Sequence, residues 1–147
     1  MAPEVIENEI KQYHEYAVKV VCGYQKEEKY PQVHPGAYFT AINVHNPGPK
    51  EAKFRVKIAV AAEGGAGAVS SFVTFSLRDD EALELDCALL HKIGGIAMDT
   101  FLKGFAVIQC RERLDIVAVY TAGDGKTVST MHQERVAGTL MREVLHL

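Results

Sequence analysis

From Tyr16 onward, apolar and polar residues alternate with a period of two along most of the chain. Alternation of this kind puts one face of each segment in a core and the other in water, which is the mark of half-buried strands rather than helices. The pattern predicts eight strands, at residues 16–22, 38–45, 53–61, 70–77, 82–87, 102–110, 115–122 and 128–136. Eight short strands broken by turn signals predict an all-β fold, an antiparallel β-sandwich, with a closed barrel as the alternative. The breaks carry turn chemistry: Asn-Pro-Gly-Pro at 46–49, Glu-Gly-Gly-Ala-Gly at 63–67 and Gly-Asp-Gly at 123–125. The last is the strongest hairpin signal and predicts that the strands on either side of it pair. The five glycine-rich residues at 63–67 lack a following Lys-Ser/Thr and precede a strand, so they read as a flexible hairpin loop and not as a phosphate loop.

Three departures from simple alternation refine this picture. In 53–61, Phe54, Val56, Ile58 and Val60 face inward while Lys53, Arg55 and Lys57 face outward. By contrast, Phe-Ala-Val-Ile-Gln-Cys (105–110) and Asp-Ile-Val-Ala-Val-Tyr-Thr-Ala (115–122) are apolar on both faces, which is expected of strands that are central in a sheet or covered on the second side by a helix or another subunit. The ends, 1–15 and 138–147, space their apolar residues in a way that predicts short amphipathic helices. Helices of that length are marginal alone and need something to pack against. Between the fifth and sixth strands, 88–101 reads as a helical turn ended at Gly94-Gly95, followed by a loop.

A chain of 147 residues, 48% hydrophobic and 24% charged, is the size and composition of one globular domain, here spanning 1–147. No apolar run approaches the ~20 residues that cross a bilayer, and the first residues lack a secretory pattern. A cytoplasmic location without membrane partners is the expectation. With a net charge of -3, electrostatic attraction to nucleic acid is not expected. The charges are nevertheless segregated. Residues 50–57 carry Lys50, Lys53, Arg55 and Lys57 against Glu51, a net +3, whereas 78–86 carry Asp79, Asp80, Glu81, Glu84 and Asp86 against Arg78, a net -4. Lys53, Arg55, Lys57, Glu84 and Asp86 are therefore candidate interface residues, as a cross-strand ladder or across a subunit contact.

Candidate chemistry is sparse. Six histidines show no spacing typical of a metal site, and the nearest suggestion of one is Asp86, Cys87 and His91. No metal and no cofactor are expected. Three cysteines without a C-x-x-C pair read as reduced, buried thiols rather than a disulfide framework. No serine sits in a nucleophile elbow, and no catalytic residue is assigned. A comparison with cupins fails, since the residue two before His45 is Asn43. His45 falls at the end of a strand, on the face of Asn43, Ala41 and Phe39. It reads first as a turn residue bonded to a backbone group near Asn46-Pro47, and second as a ligand residue with Asn43, Tyr38 and His132 at the turn-rich end.

Pro-Gly-Ala-Tyr-Phe-Thr-Ala-Ile-Asn-Val-His-Asn-Pro-Gly-Pro (35–49), Phe-Leu-Lys-Gly-Phe-Ala-Val-Ile-Gln-Cys (101–110) and Leu-Asp-Ile-Val-Ala-Val-Tyr-Thr-Ala-Gly (114–123) resemble a group of bacterial single-domain β-sandwich proteins. That likeness spans most of Val18 to Val136 and implies a fold without catalytic residues. In organisation the chain also resembles the sensory rhodopsin transducer family: a strand ending in an asparagine-containing turn, charged strands, a segment like Glu-Ala-Leu-Glu-Leu-Asp (81–86), then a strand pair like 103–121. That resemblance implies a small all-β oligomer acting through partners, although both ends of this chain depart from the family's pattern. The reading that results is a homo-oligomeric interaction or scaffolding module, with small-ligand binding near His45 as the alternative.

Overall fold

The computed structural model describes residues 9–145. Ten strands and one short helix follow in order: β1 (Glu9–Gln25), β2 (Gly36–His45), β3 (Ala52–Ala62), β4 (Gly65–Val69), β5 (Val73–Leu77), β6 (Ala82–Leu85), α1 (Cys87–Gly94), β7 (Leu102–Cys110), β8 (Asp115–Gly123), β9 (Val128–Arg135) and β10 (Thr139–Leu145). Every strand pairing among the described residues is antiparallel, in the order β4-β3-β7-β1-β2-β8-β9, with β10 on β1, β5 on β3 and β6 on β2. The fold is all-β, with ten strands described where eight were expected.

The extra strands arise where local pattern is ambiguous. Residues 65–69 do not form a flexible loop: the chain reverses at Glu63-Gly64, with Gly64 at φ 68, and Gly65–Val69 runs back along β3. The helices expected at the two ends are strands over the described residues, and the segments 1–8 and 146–147 lie outside them. Glu9 to Glu15 pairs with Leu145 to Thr139. Each segment was too short to hold a helix by itself, and pairing supplies the backbone partners that a frayed helix would have left to water.

β1 organises the molecule. Glu9 to Glu15 pairs with β10, His14 to Cys22 with β7, and its last three residues, Gly23 to Gln25, with β2. The change of partner falls at Gly23, whose φ of 125 suits glycine alone and whose missing Cβ would lie 3.2 Å from Phe101 Cα. Thr40, buried in β2, stitches the two halves: its hydroxyl accepts from Val21 N at 3.0 Å and donates to Val21 O at 2.9 Å. Both halves feed one core, with Tyr16, Val18, Val20, Phe54, Val56, Ile58 and Ile108 from one side and Ile42, Val44, Ile116 and Ala118 from the other. As the alternation required, Phe54, Val56 and Ile58 are buried while Lys53 and Arg55 are exposed. Leu90 and Ile93 of α1 add to the same core, with Asp86 as N-cap and Gly95 as the left-handed residue that ends the helix.

Candidate functional site

Register carries His45 to its partners. As the last residue of β2 it stands opposite Asp115 of β8 on one side and Ala82 of β6 on the other. Its ring is bonded to two carboxylates, not to the backbone group expected from the sequence: Nδ1 is 3.0 Å from Asp115 Oδ2 and Nε2 is 3.2 Å from Asp80 Oδ1. Arg135 Nη1 approaches the other oxygen of Asp115 at 3.5 Å. The hydrogen bond to Asp115 raises the His45 pKa above 6.5, partial desolvation opposes it, and Asp80 reinforces it. Asp115 is lowered from 3.8, first by the His45 hydrogen bond and then by the charges of Arg113 and Arg135. A ring bonded at both nitrogens ties strand to turn and leaves neither nitrogen free for a metal or a substrate.

The residue that aims Asp80 is Asn46, which the sequence reading treated only as part of a turn. Asn46 is buried; its amide nitrogen faces the carbonyls of Lys50, Leu77 and Arg78 at 2.7, 3.1 and 3.2 Å, and its side-chain oxygen accepts from Gly48 N at 3.1 Å. Its backbone accepts from Asp80 N and donates to Glu81 O, at 3.1 and 3.0 Å. The turn after β2 and the turn before β6 are thereby one unit, and Asp80 is held there at φ 60. An asparagine directly before Pro-Gly was the available signal.

The four residues proposed as a ligand site do not converge. His45 and Asn43 share the outer face of β2, where Asn43 is exposed, whereas Tyr38 stands at the other end of the strand, on the opposite face. Seven residues of strand separate His45 from Tyr38, or roughly 23 Å. Tyr38 and His132 do line one cleft, of about 310 Å³, together with Lys19, Phe39, Tyr120 and Glu134. There the Tyr120 and His132 rings lie nearly parallel, 16° apart with centroids 6.2 Å distant, and Tyr120 Oη donates to Lys19 O at 2.7 Å. Burial, helped by the charge of Glu134, pushes the Tyr120 phenol up to about 12. Burial, with Lys103 nearby, lowers Lys19.

The proposed charge ladder does not form within the chain. β3 pairs with β4, β5 and β7, and β6 pairs with β2. Lys53, Arg55 and Lys57 line the outer face of β3, Glu84 is exposed on β6, and Asp86 is engaged as the α1 cap, accepting from Leu89 N at 2.9 Å. The trio considered for a metal is likewise committed: besides Asp86, the His91 ring nitrogens face the carbonyls of Cys87 and Thr100 at 2.8 and 2.9 Å. Cys87 is joined to Cys22, against the expectation of three reduced thiols. The two are 65 residues apart in sequence, one near the end of β1 and the other the first residue of α1, and only the tertiary fold brings them together. Cys110 is free and buried.

One surface was anticipated in outline. The outer face of β8 is apolar, and no element among the described residues covers it. Register sets Phe39, Thr121 and Met131 in one row, Ala41, Val119 and Gln133 in the next, and Asn43, Val117 and Arg135 in the third. Phe39 is 55% and Met131 65% exposed, and Val117 and Val119 are half-buried. Every residue of β9 is exposed.

No protein-family model matches the chain, and no curated protein matches it. Among solved structures, the crystal structure of Thermotoga maritima 1070 is similar, with a TM-score of 0.54 at 12% identity, over 86% of this chain and 93% of that one. At that identity the likeness bears on the fold alone.

Proposed function

We propose that this chain is a non-catalytic interaction module that self-associates through the outer face of β2, β8 and β9. The observation that carries this reading is the continuous apolar surface of Phe39, Ala41, Val117, Val119 and Met131, uncovered by any described part of the chain. A contiguous apolar area with a polar rim is the anatomy of a subunit contact. The β-sandwich arrangement belongs to the same proposal, supported by the single core that the two groups of strands share. The cytoplasmic location expected from the sequence is a separate question; no helix among the described residues is long and apolar enough to cross a membrane. The Cys22–Cys87 bond argues for an oxidising compartment instead, and thiol counting on protein alkylated at lysis separates the two. The test of self-association is the mass of the native assembly for wild type and Val119→Asp. A multimer that Val119→Asp dissociates without unfolding supports the reading; a wild-type monomer sinks it.

The second reading, small-ligand binding, moves from His45 to the cleft of Tyr38, Tyr120 and His132, because that is where aromatic rings and a lysine share a concave wall. A thermal-shift screen of metals, sugars and nucleotides tests it, since a ligand bound only by the native state raises apparent stability. Absence of any shift abolished by Tyr120→Ala counts against it.

A further inference from the structure

We infer that the basic face of β3 is a docking site for the acidic segment Asp79–Glu84 of a second copy of this chain. The inference shares with the reading above only that the chain self-associates, and the basic face it uses is that of β3, not that of β2, β8 and β9. Lys53, Arg55 and Lys57 project from β3 on the side away from the core, and none of them forms an ion pair among the described residues. Arg55 is held in place nonetheless. Its Nε donates to Gln109 Oε1 at 2.9 Å, and Gln109 Nε2 donates to Glu15 Oε1 at 2.7 Å, a row that crosses β3, β7 and β1 in register. The guanidinium also lies 4.0 Å from the centroid of the Phe72 ring, and Lys57 Nζ lies 4.7 Å from the same centroid. With Nε occupied and the plane stacked, the two terminal nitrogens of Arg55 remain as a fork for a carboxylate, already ordered before a partner arrives.

The acidic segment has matching vacancies. Within it, Glu81 is paired with Arg78 and Asp80 with His45. Asp79 and Glu84 are exposed and pair with no cation among the described residues. β6, which carries Glu84, pairs on one side only. The neighbours of β3 are β4, β5 and β7 and that of β6 is β2, so the two stretches are not cross-strand partners within one chain, and none of the ion pairs among the described residues joins them. They meet between chains, basic face of one copy on acidic segment of the next, a heterologous contact distinct from a two-fold apolar one.

A charge swap tests this in the full-length protein, by native mass spectrometry and sedimentation. Arg55→Glu with Lys57→Glu is expected to weaken assembly at least about tenfold in dissociation constant, as reversed close pairs do. Salt at about 1 M, where the screening length falls to about 3 Å, does the same to wild type. Asp79→Lys with Glu84→Lys is equally weakened, and mixing the two variants restores association. An assembly mass unchanged by both double reversals overturns the inference, as does failure of two folded variants to recover on mixing, since only recovery shows that the acidic partner is this chain's own segment. If Val119→Asp alone dissociates the protein, only the apolar-face reading survives; if the charge variants alone do so, that reading falls and this one stands.

Discussion

Deleting a single oxygen at Tyr16 measures how the ion-paired end of the sheet is held. Tyr16 is 1% exposed, and its hydroxyl serves one residue twice: it donates to Leu114 O at 3.1 Å and accepts from Leu114 N at 2.8 Å. Leu114, itself buried, immediately precedes Asp115, so this pair of bonds sets where β8 begins and where the partner of His45 stands. Tyr16→Phe keeps the ring and orphans both a buried N–H and a buried carbonyl. Each such group costs about 1–3 kcal/mol, so the sum is about 2–4 kcal/mol once partial relaxation is allowed. For a chain of this length that is a fall in Tm of roughly 6–12 °C. Two controls delete the same atom elsewhere. Tyr120→Phe removes one half-buried bond, to Lys19 O, and is expected to cost about 1 kcal/mol. Tyr38→Phe releases the carbonyl of exposed His34 to water and is expected to cost less than about 0.5 kcal/mol. Urea unfolding with an unchanged m-value is the assay. If Tyr16→Phe costs no more than Tyr120→Phe, the double bond to Leu114 does not anchor β8, and the reasoning fails.

Three further outcomes are expected. The stability gap between wild type and His45→Gln should depend on pH: the contribution of His45, raised from 6.5, is complete below that value and is lost as pH rises through its folded pKa, while that of Asp115, lowered from 3.8, is present above that value and lost on acidification. The gap in Tm is therefore widest between those two values, and a gap that grows toward pH 9 refutes the pairing. Gly104→Ala places a Cβ 2.2 Å from Ala59 O, on β7 where it runs between β1 and β3, and should destabilise by at least about 2 kcal/mol, or abolish soluble folding; a melting curve like wild type contradicts the register. Burial pushes the Cys110 thiol up to about 12, so the oxidised native protein should react slowly with a disulfide reagent near pH 8. Denaturation should expose one thiol, and denaturation with prior reduction all three; rapid native labelling at Cys110 refutes this.

Much of the architecture was legible because strand periodicity is a local signal. The inward set Phe54, Val56 and Ile58, the hairpin across Gly123–Gly125 and the helix stopped at Gly94-Gly95 each follow from neighbours in sequence. The ends misled because apolar residues at short, irregular spacing satisfy both periods, and only the open edge of β1 decides for a strand. For the candidate site, His45 was identified as a residue of interest, yet its partners lie 35 and 70 residues away. No spacing rule links such positions, and Asn46, which braces one of them, offered only the common signature of a turn.

The sequence by itself determined that the chain is all-β, that β3 carries its charge outward, and that β8 is apolar on two faces, since alternation depends on nothing beyond the strand. Tertiary structure alone decided that Cys22 meets Cys87, that Tyr38 and His132 share a cleft from which His45 is excluded, and that the basic and acidic stripes do not lie on paired strands. The physical reason is register and strand order. They set which distant side chains become neighbours, and they follow from the packing of the whole core rather than from any stretch of residues taken alone.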